Sequence, residues 1–226
     1  MVSEETEPGV AGNGRLTALA SAVLVVLLFI EIATTPALSA LVQPHVFIGV
    51  LLAGPLLVKL GSTGYRFFRY YAGAPAYVRK GPPRRALRLL APLLVVTTLA
   101  LMATGVALLV TGPDDPGPFV GLHNLTFVLW FPIFAIHVFA YVGRLPGLIA
   151  ADRRGPQADV VPGRALRIDL NAGALLLGAI LAIVALPAAA PWPSSVFVAQ
   201  ALPGPLIAGT VVMLVALLAV RPLRWS

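Results

Sequence analysis

The stretch VGLHNLTFVLWFPIFAIHVFAYV, Val120–Val142, decides the fold. It carries no charged side chain, and it matches the roughly 20 apolar residues that take a helix across a hydrocarbon core about 30 Å thick. Within it, His123 and His137 stand fourteen residues apart. Fourteen steps of an α-helix turn about 1400°, about 40° short of four full turns, so both rings share a face roughly 21 Å apart. Each then lies near one edge of a bilayer core, where ionisable side chains are rare and mark functional sites. Such a spacing suits two flat metal cofactors held one above the other in a helical bundle. His45, the only other histidine, opens a second apolar stretch.

Composition extends this reading to the whole chain. Hydrophobic residues make up 58% of the 226 positions and charged residues 11%, with a mean hydropathy of +0.91. An ordinary soluble domain carries about 25% charged residues, so the expectation is one integral membrane domain over 1–226. The absence of cysteine excludes disulfides, thiolate-held iron–sulfur clusters and covalently attached haem, leaving nitrogen or thioether ligands for any haem. Glu4, Glu5 and Glu7 stand where a signal peptide would be basic, so the first apolar run reads as a retained span.

Six apolar segments follow: Leu16–Ala37, His45–Leu60, Leu89–Val110, Val120–Val142, Ala172–Ala190 and Leu202–Val220. The second is short and reads as continuing through Gly61–Tyr71 into the interface, with Pro44 in its first turn, where a missing N–H costs nothing. Thr111 to Pro118 is dense in turn residues and reads as a loop.

The net charge of +7 is distributed as topology rather than as a nucleic-acid surface. Of sixteen Lys and Arg, one (Arg15) precedes the first span, eight lie in the second connection, five in the fourth and two in the C-terminal tail. The other three connections have none. Because cytoplasmic loops retain Lys and Arg, both termini should be cytoplasmic, giving a multi-pass protein of the plasma (inner) membrane. The expected fold is thus an all-α six-helix bundle. Residues 1–15 form a cytoplasmic tail, 16–145 a four-helix haem-binding core, and 171–221 two additional helices.

In this topology His45 and His123 sit at similar outer depth on parallel helices, the arrangement in which a b-type haem takes one imidazole from each side. Gly49 lies one turn below His45 on the same face. With Gly54 and Gly105 it would open room for a porphyrin, although small residues in membrane helices also serve helix packing. At the inner level, the position fourteen after His45 is Lys59. It is open to two readings, pairing with a haem propionate or snorkelling to the headgroups. Met102 is a thioether alternative or a packing residue. His137 then holds a five-coordinate haem, meets quinone, or does neither. Glu31, the only carboxylate inside a span, would orient His45 or His123 through a ring nitrogen, take a proton from a quinol, or mark a helix end. Tyr65–Tyr71 mixes basic and aromatic residues, as an interfacial belt touching anionic lipid does. No phosphate-binding glycine motif is present.

The histidines of spans two and four, with His123-x13-His137, resemble the bacterial membrane-anchor cytochromes b of hydrogenases and formate dehydrogenases. Lys59-Leu60-Gly61-Ser62-Thr63-Gly64-Tyr65-Arg66 through Gly81-Pro82-Pro83 also looks like a group of actinobacterial multi-span membrane proteins. The resemblance covers roughly residues 40–145. It implies a bundle that passes electrons between quinone and a partner redox enzyme, with His45, His123 and His137 as haem-iron ligands. The chain departs from the family in lacking a fourth histidine and in adding the last two spans.

Two function classes follow. The first is an electron-transfer subunit of an oxidoreductase complex, with one haem b and a second at His137 as the open case; the protein sets ligands and orientation while the cofactor does the chemistry. The second is a cofactor-free transporter, assembly or anchor protein. Transporters gather polar groups near the midplane, whereas here they cluster at the edges.

Overall fold

Long apolar runs interrupted by proline and glycine give mostly helix, with no strand, among the described residues. The computed structural model describes residues 7–82, 85–153, 161–192 and 204–220. Arg84, Arg154, Arg221, Arg224, Gln200, Pro83, Glu4 and Glu5, which entered the sequence reading, lie outside them.

Helix α1 covers Pro8–Thr34, and a short 3-10 turn at Thr35–Ala37 leads to α2, Leu38–Leu51. Next come α3 (Ala53–Tyr71), α4 (Pro75–Lys80), α5 (Arg85–Thr111) and α6 (Phe119–Tyr141), then α7 (Leu145–Arg153), α8 (Arg164–Ala189) and α9 (Gly204–Val220). Among the described residues, four stretches are long and apolar enough to cross a membrane: Pro8–Tyr71, Leu87–Thr111, Phe119–Ala150 and Arg164–Ala189. A shorter apolar helix spans Gly204–Val215. Large apolar side chains are exposed on α5, α8 and α9, with Val110 at 80% and Val184 at 72%. Helices apolar all round belong in a protein core or in hydrocarbon.

The 64-residue stretch Pro8–Tyr71 would reach about 96 Å as one straight helix, some three bilayer cores. It turns back instead. Glu31 meets Gly49 and Thr34 meets His45, so α2 returns antiparallel along the end of α1. The boundaries differ from the apolar runs in an instructive way. Helix α1 starts at Pro8 rather than Leu16, and α8 at Arg164 rather than Ala172, because a helix need not be apolar where it leaves a bilayer. Leu41, with φ −115° and ψ 19°, breaks the helical path inside α2, so the segment that carries Pro44 starts after this kink and Pro44 falls in its first turn, where a missing N–H costs nothing.

The chain divides into two compact units. The first unites Met1–Leu28, Leu51–Pro83 and Tyr141–Ile180. Here α1 and α3 are joined by polar bonds in antiparallel order. Asn13 donates to the Ser62 carbonyl at 3.1 Å, the Thr17 and Ser62 hydroxyls pair at 2.9 Å, and Lys59 Nζ donates to Ser21 Oγ at 2.5 Å. Against α8, Gly54 and Gly178 bring backbone onto backbone. A Cβ on Gly54 would lie 1.9 Å from the Ala174 carbonyl oxygen, and one on Gly178 2.4 Å from that of Leu51. Val10, Ala74 and Tyr77 form a small core cluster around α4.

The second unit unites Phe29–Val50, Arg84–Ala140 and Leu181–Ser226. Helices α5 and α6 form a hairpin through Gly112–Pro118. Trp130, only 3% exposed, donates from its indole nitrogen to Thr98 Oγ1 at 3.0 Å. It also stacks on Phe134 at 4.5 Å. On α9, a Cβ at Gly209 would lie 3.1 Å from the Phe131 ring.

Candidate functional site

The second unit brings together His45, His123, Glu31 and Gly49, and adds Thr34 and Thr104. His45 reaches the others because the Thr35–Ala37 turn folds α2 back along α1; His123 does so because it opens α6 beside the last turns of α5. Their ring centroids lie 6.4 Å apart with planes 89° apart.

Each imidazole is held through Nδ1. Thr34 Oγ1 is 2.9 Å from Nδ1 of His45, and Thr104 Oγ1 is 3.0 Å from Nδ1 of His123. A hydroxyl has one hydrogen and two lone pairs. The Thr34 hydrogen goes to the Glu31 carbonyl at 2.6 Å, and that of Thr104 to the Ala100 or Leu101 carbonyl at 2.9 or 3.0 Å. With the hydroxyl hydrogens on those carbonyls, both oxygens are placed to accept from the rings, an assignment in which Nδ1 would carry the proton and Nε2 would present its lone pair. This is the tautomer a metal-ligating histidine adopts, with its other ring N–H donated to a fixed acceptor.

Glu31 stands beside this arrangement. Its Oε1 is 3.1 Å from Nδ1 of His45, so that N–H is shared between Glu31 and Thr34. The second oxygen, Oε2, is buried with no hydrogen-bond partner among the described residues. Gly49 makes this possible, since a Cβ there would lie 3.1 Å from Glu31 Oε1. Gly105 does the same for His123, whose Cε1 would lie 3.3 Å from its added Cβ. The spaces beside these glycines thus receive a carboxylate and an imidazole edge, and that beside Gly54 receives the backbone of α8.

The other expected residues lie elsewhere. Lys59 is in the first unit, its ammonium bonded to Ser21 rather than extended to a headgroup. His137 is on α6 in the second unit, half-buried, with Phe127, Trp130, Phe131 and Phe134 packed in mutual ring contact between it and His123. Met102 is on α5.

The donor set bears on which group would fit. Among the described residues no cluster of three or more His, Cys, Asp or Glu is able to hold a bare metal ion. Two imidazoles suffice for a metal that brings its own equatorial ligands, as haem iron does. The two rings, with centroids 6.4 Å apart, are close enough that both would be able to supply nitrogen ligands to one such group. The residues fit haem.

Thr34 and Thr104 escaped the sequence reading, which looked for ligands and not for what holds them. A signal was present. Thr104 and His123 are placed symmetrically about Pro113 and Asp114 in the loop, so an antiparallel hairpin brings them level. Comparison with known protein families, characterised proteins and solved structures gives no match to this chain.

Proposed function

We propose that this chain is an integral membrane b-type cytochrome that passes electrons between quinone and a redox partner protein. The observation that carries the reading is the His45–His123 pair, each ring held by a threonine so that Nε2 is free to ligate. Haem b, when bound, supplies the one-electron step between ferric and ferrous iron. The chain's own residues do the rest. His45 and His123 would hold the iron, Thr34 and Thr104 would aim their rings, and Glu31 would share the His45 N–H.

In this proposal the protein has six spans in the plasma membrane with both termini cytoplasmic, supported by the distribution of Lys and Arg between connections. Helix α1 would supply the first pass, α2 with α3 the second, and α5, α6, α8 and α9 the remaining four. His137 is the candidate for a second, five-coordinate haem or for contact with quinone.

The test is the absorption spectrum of the purified full-length protein before and after dithionite. A Soret band that shifts and a sharp alpha band on reduction are expected. A colourless protein, after expression with ample haem supply, would favour the cofactor-free transporter or anchor reading.

A further inference from the structure

We infer that Thr34 and Thr104 are positioning residues that fix the relative orientation of the two imidazole planes, a role that rests on the haem reading. The torsion between Cβ and an imidazole ring is broad and roughly two-fold, so a histidine bound only through its nitrogen would swing about the metal bond. What removes this freedom is an acceptor placed at Nδ1. The two acceptors come from different helices: Thr34 ends α1 and serves His45, while Thr104 lies on α5 and serves His123. Each threonine is itself locked, because its hydroxyl hydrogen is committed to a carbonyl of its own helix. The rings consequently stand 89° apart.

Gly105 completes the device on one side. Only a residue without a side chain lets the Cε1 edge of His123 approach α5 closely enough for Nδ1 to reach the neighbouring Thr104. On the other side Glu31 Oε1, at 3.1 Å, remains as a second acceptor for His45. The two threonines are therefore unequal. Losing Thr34 leaves His45 a partner already in place. Losing Thr104 leaves His123 only the Leu101 backbone with which it already bonds, one turn back on the same helix as Thr104, and the ring is expected to turn toward it.

Ring orientation has its own spectroscopic signature. Low-spin ferric iron between perpendicular imidazole planes has two nearly degenerate d orbitals and gives a highly anisotropic EPR signal dominated by one large g value. Planes turned toward parallel lift the degeneracy and give a rhombic three-line signal. Neither signature responds to stability as such.

The experiment is low-temperature EPR of the oxidised full-length protein as wild type, Thr104→Val, Thr104→Ser and Thr34→Val, with haem content measured on each. Wild type should give the large-g signal. Thr104→Val, which keeps the shape and loses the acceptor, should convert most of the bound haem to the rhombic signal. Thr104→Ser should restore the large-g form, and Thr34→Val should shift it less than Thr104→Val does. A large-g signal unchanged in Thr104→Val and Thr34→Val with full haem content overturns the inference and leaves the haem reading intact. A wild type that binds no haem overturns the haem reading itself. Should Thr104→Val not accumulate, Thr104→Ala takes its place: a large-g signal unchanged in Thr104→Ala with full haem content overturns the inference, and conversion to the rhombic signal supports it.

Discussion

His45 and His123, seventy-eight positions apart in sequence, bring their ring centroids to 6.4 Å with planes at 89°. Two hairpins achieve this. One folds α2 back on the end of α1, and the other sets α6 against α5. In each, a threonine on the partner helix meets Nδ1 of the histidine. The repetition of one hydrogen-bonding device on two unrelated hairpins distinguishes this pair from two polar groups that merely share a level.

Gly105 should be sensitive to any side chain. Gly105→Val adds bulk where His123 Cε1 already lies 3.3 Å from an added Cβ, so the ring must move and its bond to Thr104 must break. Haem content at expression should fall several-fold, read from the reduced-minus-oxidised alpha band. Gly121→Ala, on α6 with nothing within 4 Å of its added Cβ, should retain wild-type content.

Gly54 and Gly178 should control stability. An added Cβ at either meets backbone at 1.9 or 2.4 Å, and overpacking of this kind costs about 1–3 kcal/mol or more. Gly54→Ala and Gly178→Ala should each lower the thermal midpoint in detergent by several degrees. Gly61→Ala and Gly64→Ala, on the same α3 but in open space, should leave it unchanged or raise it slightly, since alanine favours the helix. Equal midpoints for all four would refute the close approach of α3 and α8.

The all-α character and the long apolar helices were legible because their determinant is local: the length of each apolar run. Helix starts were less so. Pro8–Arg15 and Arg164–Asn171 are polar stretches that continue a helix from an apolar one, and composition alone stops at the change. Pro44 was read correctly as a first-turn residue, because the kink at Leu41 starts the helical segment that carries it. At the site, His45 and His123 were found by rarity and depth. Thr34 and Thr104 were not, because threonine is common in apolar helices and its role appears only when hairpin register puts it opposite a ring. The glycines illustrate the same limit. Sequence shows that space is left, and only packing shows that a carboxylate, an imidazole or a backbone fills it.

Alkaline pH should loosen the first unit through Tyr77. Burial pushes its phenol above the ordinary value near 10, Tyr65 adds to this, and Arg69 and Arg66 oppose it. The folded state therefore holds the proton more tightly than the unfolded state does. The contribution of this group is constant below about pH 10 and is lost as pH rises from there through the raised folded value. Denaturant midpoints between pH 9 and 11.5 should fall less steeply in Tyr77→Phe than in wild type. Parallel slopes would contradict this role.

Topology is directly measurable because the chain has no cysteine. A cysteine at Asp115, in the loop between α5 and α6, should react with a membrane-impermeant maleimide in intact cells. One at Pro82, in the Lys- and Arg-rich connection, should react only after disruption. The reverse pattern would overturn the orientation.

The most direct measurement of the central claim is haem content and the reduced spectrum of His45→Ala, His123→Ala and His137→Ala beside wild type. The account predicts that either of the first two substitutions abolishes the low-spin haem, with its reducible Soret and alpha bands. His137→Ala should preserve that haem and remove at most a second one that binds carbon monoxide. Wild-type spectra and haem content in both His45→Ala and His123→Ala would contradict the account. Loss of the low-spin haem in His137→Ala with His45→Ala silent would show that the iron is held by a different pair.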